Sequence, residues 1–88
     1  MARYDLVLRP SVSRDVKGIP QQVLKRILGR IEALRDDPRP PGAVKLSGME
    51  YYRVRQGDYR IVYEIQDAVL IVIIVKVGHR REIYRKKS

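Results

Sequence analysis

The clearest pattern along the chain is a pair of alternating segments, residues 51–56 and 59–66, joined by Gly57-Asp58. Two connecting residues with glycine at the first central position suit a tight hairpin turn. The pattern therefore predicts antiparallel strands in which residue 55 faces 60 and residue 53 faces 62. One face of this hairpin is apolar and carries Tyr52, Val54, Tyr59, Ile61, Tyr63 and Ile65. The other face is mostly basic and carries Tyr51, Arg53, Arg55, Arg60 and Glu64. We expect the apolar face to pack against the core and the basic face to stay open as a shallow surface.

The segment before the hairpin predicts one strand and two helices. Residues 3–9 alternate between apolar and polar positions, as a half-buried strand does. Ser11 can cap a short helix, and residues 20–36 carry an apolar stripe at helical spacing that predicts a longer one. Gly29 interrupts this second helix and indicates close packing against a neighbouring element.

The segment after the hairpin predicts a buried strand. Residues 69–77 are apolar on both faces apart from Lys76, which is typical of a central strand covered on both sides. We expect helices on one face and chain or a partner on the other, and Gly78 is expected to end the strand. The order of one strand, two helices and three strands indicates an α+β fold. We expect a small antiparallel-type sheet, formed by the N-terminal strand and three C-terminal strands, with a two-helix hairpin packed on one face.

Length and charge narrow the class of protein. The 88 residues predict a single domain spanning positions 1–88 with one modest core. A formal net charge of +9 indicates a polyanionic partner such as nucleic acid or an acidic protein. The longest apolar run, residues 68–75, is far shorter than a membrane span, and the N-terminus lacks an apolar run of signal-peptide length. We therefore expect a soluble, cytoplasmic protein without a membrane partner.

The basic face of the hairpin has two interpretations. Arg55 and Arg60 face each other with Arg53 two positions along, and like charges opposed across strands cost roughly 0.2–1 kcal/mol. A solvated face usually mixes charges of both signs. Three guanidinium groups on one rigid surface suit a multiply charged oxyanion such as phosphate, which arginine binds in a bidentate geometry. The phosphate-binding interpretation is favoured over a merely solvated face.

The residue inventory excludes several kinds of active site. One histidine and no cysteine leave no metal constellation and no thiol nucleophile, and no glycine-rich phosphate loop is present. We expect neither metal nor cofactor. RNA strand cleavage needs none of these groups, because the ribose 2′-hydroxyl of the substrate supplies the nucleophile. Arginine is a poor base, so Tyr84 and His79 are the candidate proton carriers. Tyr84 could instead pack at the sheet edge, and His79 could form a structural hydrogen bond.

Four short motifs carry a resemblance to a known family. They are Lys45-Leu46-Ser47-Gly48, Tyr52-Arg53-Val54-Arg55, Gly57-Asp58-Tyr59-Arg60-Ile61-Val62-Tyr63 and Val77-Gly78-His79-Arg80-Arg81-Glu82-Ile83-Tyr84. Together they resemble the RelE branch of the RelE/ParE toxin superfamily of type II toxin–antitoxin systems. The order of elements resembles that family over nearly the whole chain. The third and fourth motifs at this spacing are the specific signal, since the helices alone would not distinguish the family.

The resemblance implies a ribosome-dependent, metal-independent mRNA endoribonuclease that cuts the codon in the ribosomal A site and so inhibits translation. It also implies an acidic, RelB-like antitoxin as partner, beside the ribosome and mRNA. Carried over by motif, the implied catalytic residues are Arg53, Arg55, Arg60, Arg80 and Tyr84. Further basic residues are expected to bind RNA, namely Lys45, His79, Arg81, Arg85, Lys86 and Lys87.

Two positions on the first hairpin strand depart from the family pattern. They are often lysine, one of them a candidate general base, and here both are arginine, Arg53 and Arg55. Phosphate binding is compatible with this change, but the base would have to be Tyr84 or His79, and His79 itself stands where some relatives have lysine. Two other functions stay open. One is a ParE-like toxin that poisons DNA gyrase without catalysis, and the other is a non-catalytic basic RNA-binding module.

Overall fold

The computed structural model describes residues 3–46 and 50–81, which form a five-stranded mixed sheet with two helices on one face. The strands are β1 (Asp5–Leu8), β2 (Val44–Lys45), β3 (Tyr51–Gln56), β4 (Tyr59–Gln66) and β5 (Ile71–His79). The helices are α1 (Pro10–Asp15) and α2 (Gln21–Ala33), and a short 3-10 turn over Asp67–Val69 connects β4 to β5. The strand order is β1-β5-β4-β3-β2. The predicted α+β class is confirmed.

The sheet differs from the predicted one in two respects. β1 pairs with β5 in parallel, with Asp5 opposite Ile71 and Leu8 opposite Ile74, so the sheet is mixed. The two-residue strand β2 adds a fifth member by pairing antiparallel with β3. Alternation along a strand indicates which side chains share a face, but it carries no information about the direction of the neighbouring strand. A two-residue strand is too short to give any alternation.

The core lies between the helices and the apolar face of the sheet. Val12 of α1 and Ile27 and Ile31 of α2 are at most 2% exposed. They pack against buried sheet residues, namely Tyr52, Val54, Ile61, Tyr63, Ile65, Val72, Ile74 and Val77. The predicted core face of the hairpin is therefore confirmed. Removing this apolar surface from water is the main stabilising contribution to such a fold.

The helices differ in detail from the predicted ones. α1 begins at Pro10 with Arg9 at the N-cap and no side-chain cap, so the predicted capping by Ser11 is wrong. A proline at the first helical position already has a suitable φ and needs no amide partner. α2 is shorter at both ends than the predicted segment. Gly29 is exposed and nothing lies within 4 Å of a Cβ placed there, so the predicted close packing at this residue is wrong. Neither described helix is long and apolar enough to cross a membrane.

β5 is the central strand over its first half. Residues 71–74 lie between β1 and β4, and one extra residue, Val75, forms a bulge opposite the step from Val62 to Tyr63. The strand runs on through Gly78, which pairs with Arg60, so the predicted strand end at Gly78 is wrong. The helices cover one face of β5. Within the described ranges no helix covers the other face, so its predicted cover by chain or a partner stays a prediction.

Candidate functional site

The β3–β4 hairpin brings three arginine side chains onto the sheet face that lies away from the helices. Its two-residue loop begins with Gly57, whose φ of +60° is a conformation that glycine adopts without steric cost. The predicted register is confirmed, with Arg55 directly opposite Arg60 and Arg53 two residues along. On its other side Arg60 pairs with Gly78, which has no side chain to occupy this face. We refer to Arg53, Arg55 and Arg60 as the arginine cluster.

Arg60 is the buried member of the arginine cluster. Only 4% of the residue is exposed, so the expectation of an accessible side chain is wrong at this position. Its Nη1 donates to the carbonyl oxygens of Gly57 and Tyr59 at 3.4 and 3.3 Å, and its Nε is buried without an acceptor in the described chain. Burying a charge costs several kcal/mol unless good partners compensate. Two long bonds from one nitrogen to neutral oxygens leave the guanidinium under-satisfied.

The other two members of the arginine cluster also lack an internal counter-ion. Arg53 is half-buried and its Nε is buried without an acceptor, whereas Arg55 is exposed. None of the three guanidinium groups forms an ion pair with a carboxylate of residues 3–46 or 50–81. Glu64 shares this face of β4, but it is engaged by Arg9 at 3.9 Å and by Gln66 at 3.1 Å. The charge of the cluster is therefore uncompensated within the described ranges, and its anion-binding role stays a prediction.

Two further arginines are fixed at the loop end of the cluster. Arg80 and Arg81 follow β5 directly and have helical backbone conformation with exposed side chains. The Arg80 N–H donates to the carbonyl oxygen of Asp58 at 2.8 Å, which ties the end of β5 to the hairpin loop. The Arg81 N–H donates to Nδ1 of His79 at 3.3 Å. The structure thus brings Arg80 and Arg81 to the same end of the sheet as Arg55 and Arg60.

His79 and Lys45 lie on the side of the sheet away from the arginine cluster. Residues paired across strands share a face. His79 pairs with Tyr59, and the two rings meet edge to face with centroids 5.5 Å apart. Lys45 pairs with Tyr52 of the core face, and its Nζ lies 3.4 Å from a carboxylate oxygen of Glu50. Their RNA-binding roles stay predictions.

The remaining predicted site residues are Tyr84, Arg85, Lys86 and Lys87, which lie outside the described residues. Their roles also stay predictions. The described part of the arginine surface is open, with no enclosed pocket. No group of three His, Cys, Asp or Glu side chains comes together within residues 3–46 and 50–81 in a way that could hold a metal ion.

Sequence reasoning missed a polar network around Asp67, beyond the far end of β4. Arg39 binds the Asp67 carboxylate through both Nη atoms at 3.2 and 2.8 Å, and its Nε donates to the Tyr52 hydroxyl at 3.1 Å. The Tyr4 hydroxyl donates to the same carboxylate at 2.7 Å. The hydrogen bonds from Arg39 and Tyr4 lower the pKa of Asp67, and the bond to Asp67 raises the pKa of Tyr4. Because the partners come from distant parts of the sequence, no local spacing predicts this network.

Asp15 at the end of α1 is a second residue that the sequence did not reveal. Its carboxylate accepts the Val77 N–H at 3.0 Å and lies 3.7 Å from Nζ of Lys76. β1 ends before it reaches this part of β5, so the carboxylate replaces a strand partner for the exposed amide. The contact positions the second half of β5 and partly neutralises Lys76, the cation nearest along the strand to Gly78.

Comparison with known proteins gives a consistent result. The family model described as the ParE toxin of type II toxin–antitoxin systems, parDE, matches residues 6–84. Toxin RelG of Mycobacterium tuberculosis is 30% identical over 89 residues, which cover 94% of this chain and 98% of RelG.

Solved structures share the fold over nearly their whole length. The RelB–RelE antitoxin–toxin complex from Methanococcus jannaschii contains a chain that superimposes with a TM-score of 0.76 at 28% identity, covering 93% of this chain and 99% of that one. A chain of the archaeal RelE–RelB complex from Pyrococcus horikoshii gives a TM-score of 0.77 at 24% identity, covering 89% and 96%. At 24% identity this second likeness is evidence of a shared fold alone.

Proposed function

The chain belongs to the ParE toxin family of type II toxin–antitoxin systems, and on this premise we propose that it is a RelE-like toxin that cleaves messenger RNA on the ribosome. The observation that supports cleavage is the burial of the Arg60 guanidinium without a counter-ion in the described chain. This cation is buried, has no counter-ion in the described chain and faces a second arginine across the strand pair. Such an arrangement opposes stability. A bound phosphate would supply the missing acceptors and charge.

The arginine cluster suits the charge that develops during RNA cleavage. The ribose 2′-oxygen attacks the adjacent phosphorus, so the bond between 2′-oxygen and phosphorus forms while the bond to the 5′-oxygen breaks. Negative charge grows on the phosphate oxygens, where preorganised donors stabilise the transition state most. The buried Nε atoms of Arg53 and Arg60 have no competing acceptor within the described ranges. A phosphate oxygen reaches them only if these side chains move outward, because neither Nε is exposed.

Proton transfer has to come from outside the arginine cluster. The 2′-hydroxyl must lose its proton and the departing 5′-oxygen must gain one. Arginine stays protonated at physiological pH and is a poor base. We propose Tyr84 for this transfer, because the motif resemblance implies a catalytic role for it.

Ribosome dependence is supported by the openness of the surface. The cluster can neutralise a phosphate, but an exposed face with no enclosed pocket cannot by itself hold a flexible RNA with its 2′-oxygen in line with the scissile bond. Alignment of reacting groups contributes a large part of catalysis. We propose that the ribosomal A site holds the codon in that geometry and that the toxin supplies the charged surface.

An antitoxin partner forms part of the same proposal. The net charge of +9 favours an acidic partner, and the open sheet face carries apolar side chains such as Val7, which is 45% exposed. The structural relatives named above were crystallised as antitoxin–toxin complexes. Co-expression with the product of an adjacent gene should relieve the growth arrest that the toxin causes. No relief by any acidic neighbour would contradict this part of the proposal.

The decisive experiment maps cuts on a defined mRNA, with and without ribosomes stalled with an empty A site. It compares the wild type with Arg60→Met, which keeps the apolar stem and removes the charge. Loss of one transition-state donor costs about 10²- to 10³-fold in rate, so we expect A-site cuts only with ribosomes and a loss of this size in Arg60→Met. Arg14→Met, on the exposed surface of α1, is the matched control and should cut like the wild type.

Folding stability is measured on the same proteins by urea unfolding. Because Arg60→Met removes a buried and poorly compensated charge, we expect it to be at least as stable as the wild type. A clear loss of stability would make Arg60 a structural residue and would remove the main support for the phosphate site. Cuts on free RNA would support the nuclease activity and contradict its dependence on the ribosome.

A second candidate function is favoured by the description of the matching family model, which names ParE. ParE-like toxins of the superfamily poison DNA gyrase, and the shared fold does not separate the two activities. If neither RNA condition yields cuts, a supercoiling assay with purified gyrase tests this alternative. Inhibition of gyrase without RNA cleavage would replace the proposed function.

A further inference from the structure

Three contacts hold His79 at the junction between β5 and the two arginines that follow it. The residue pairs with Tyr59 in the ladder, and the Tyr59 ring meets the imidazole edge to face at an interplanar angle of 84°. Nδ1 of His79 accepts the Arg81 N–H, while the Arg80 N–H is bonded to the Asp58 carbonyl oxygen. The first two backbone N–H groups after β5 therefore both have acceptors.

This geometry is that of an N-cap. The first N–H groups of a helical turn have no partner within the turn, and the residue before it commonly satisfies the second or third with its side chain. Arg80 and Arg81 have helical conformation, so the bond from Arg81 to His79 joins the second helical residue to the capping side chain.

The cap requires a particular protonation state of the imidazole. Nδ1 can accept a hydrogen bond only when it carries no proton, so the neutral ring must be protonated at Nε2. A protonated imidazole has two donors and no acceptor. Protonation would therefore break the bond to Arg81, while the bond from the Arg80 N–H to Asp58 would remain.

We propose that His79 is a positioning residue of the cleavage site, acting as a neutral capping imidazole that fixes Arg81 beside Arg80, which is itself bonded to the hairpin loop. This role differs from direct RNA contact and from proton transfer. It rests on the proposed nuclease function for its catalytic consequence. The cap itself does not depend on that function.

Protonation of His79 would place a positive charge beside other cations. The titratable and charged groups next to His79 in the chain or across the strand pair are Asp58, Tyr59 and Arg60 of the hairpin and Arg80 and Arg81 of its own segment. Lys76 lies further along β5 beside Asp15 of α1, and the Arg60 and Lys76 side chains are on the opposite face of the sheet. Most of these groups are cationic, and the Asp15 carboxylate is already engaged by the Val77 N–H and Lys76. A proton on the imidazole would add one more cation to this group.

Three substitutions separate the capping role from the other roles. His79→Asn keeps an acceptor at the capping position and does not titrate, His79→Ala removes the acceptor, and His79→Arg supplies a permanent cation without an acceptor. Losing an N-cap costs typically about 1 kcal/mol, which corresponds to roughly a fivefold effect. We expect ribosome-dependent cleavage near the wild-type rate for Asn, and about a fivefold loss for Ala and Arg.

The pH profile gives the readout that a merely structural role would not change. Wild-type cleavage should fall on the acidic side as the imidazole becomes protonated, whereas the fall due to this group should be absent in His79→Asn. Full activity of His79→Arg with loss in His79→Asn would identify an RNA contact and overturn the proposal. Loss in Asn and Arg alike would identify a proton carrier and also overturn it.

A measurement on the free, full-length protein keeps the inference separate from the proposed function. The ¹⁵N chemical shifts of the His79 ring report its tautomer, and we expect an unprotonated Nδ1 and a protonated Nε2 at pH above neutrality. The opposite tautomer would overturn the cap even if RNA is cleaved. If the protein shows the expected tautomer but cuts no RNA, the cap is supported and only its role in catalysis is contradicted.

Discussion

Two arginines of this chain illustrate how the environment decides the role of a residue. Arg39 binds a carboxylate in bidentate fashion, lies 5.2 Å from the Tyr52 ring centroid and donates to the Tyr52 hydroxyl. Arg60 is far more deeply buried, and among the described residues it has only long contacts to backbone oxygens. The first guanidinium is satisfied within the protein and is structural. The second requires a partner that the described chain does not supply, which is the physical basis for assigning it to anion binding.

Asp67 gives a prediction about acid stability. Because hydrogen bonds from Arg39 and then Tyr4 lower its folded pKa, the carboxylate contributes stability above its unfolded pKa, and this contribution is lost as the pH falls through the folded value. Asp67→Asn should therefore be less stable than the wild type at neutral pH. Below about pH 4, where the unfolded carboxylate is protonated, the difference should shrink. Urea unfolding across this pH range measures it.

The control for this prediction is Asp5→Asn. Asp5 is exposed and forms no ion pair with the described residues. Its variant should follow the wild-type stability profile at every pH. A pH-independent difference for Asp67→Asn would mean that the network owes its stability to packing rather than to the ionised carboxylate.

At the scale of elements, alanine substitution at two glycines in similar open surroundings is expected to change the free energy of unfolding in opposite directions. A Cβ added at Gly29 of α2 or at Gly18 between the helices meets nothing within 4 Å. Gly18 has a φ of +84°, which strains any residue with a Cβ, whereas Gly29 lies in a regular helix interior. Gly29→Ala should raise the free energy of unfolding by about 0.5–1 kcal/mol, measured by urea unfolding.

Gly18→Ala serves as the matched control and should lower the free energy of unfolding, because the native φ is incompatible with alanine. Loss of stability in Gly29→Ala would indicate that this face of α2 packs against something in solution. Equal effects of the two substitutions would show that backbone conformation does not decide the sign.

The elements that the sequence predicted correctly are those whose determinants are local. The hairpin register follows from the loop at Gly57 and from alternation on either side, and it placed Arg55 opposite Arg60 correctly. The parallel direction of β1 has no local determinant and was predicted wrongly. The burial of Arg60 and the contact of Asp15 with Val77 arise from tertiary packing, so no pattern in the sequence could reveal them.

At the scale of the molecule, the arginine cluster differs from several other arginines in having no carboxylate partner within the described ranges. Arg3 bridges Glu32 and Asp36 between the N-terminus and the end of α2, and Arg39 is paired with Asp67. The cluster on β3 and β4 forms no such pair within the described ranges. The positive charge of the arginine cluster on the open face of the sheet is therefore not compensated by an ion pair within these ranges. A polyanion approaching the molecule should be drawn to that face.

The uncompensated charge of the arginine cluster predicts how RNA binding depends on salt. Each phosphate neutralised on a single strand contributes about −0.7 to the slope of log affinity against log salt concentration. Arg55→Ala should therefore make the slope shallower by about this amount, because it removes one exposed cation of the arginine cluster. The measurement is a salt titration of binding to a short RNA that carries 2′-deoxy nucleotides, which cannot be cut. Arg3→Ala removes a cation that is already paired, so its slope should match the wild type. Equal changes of the slope in both variants would mean that RNA binding depends on the total charge of the protein. The open face of the sheet would then not be the binding surface.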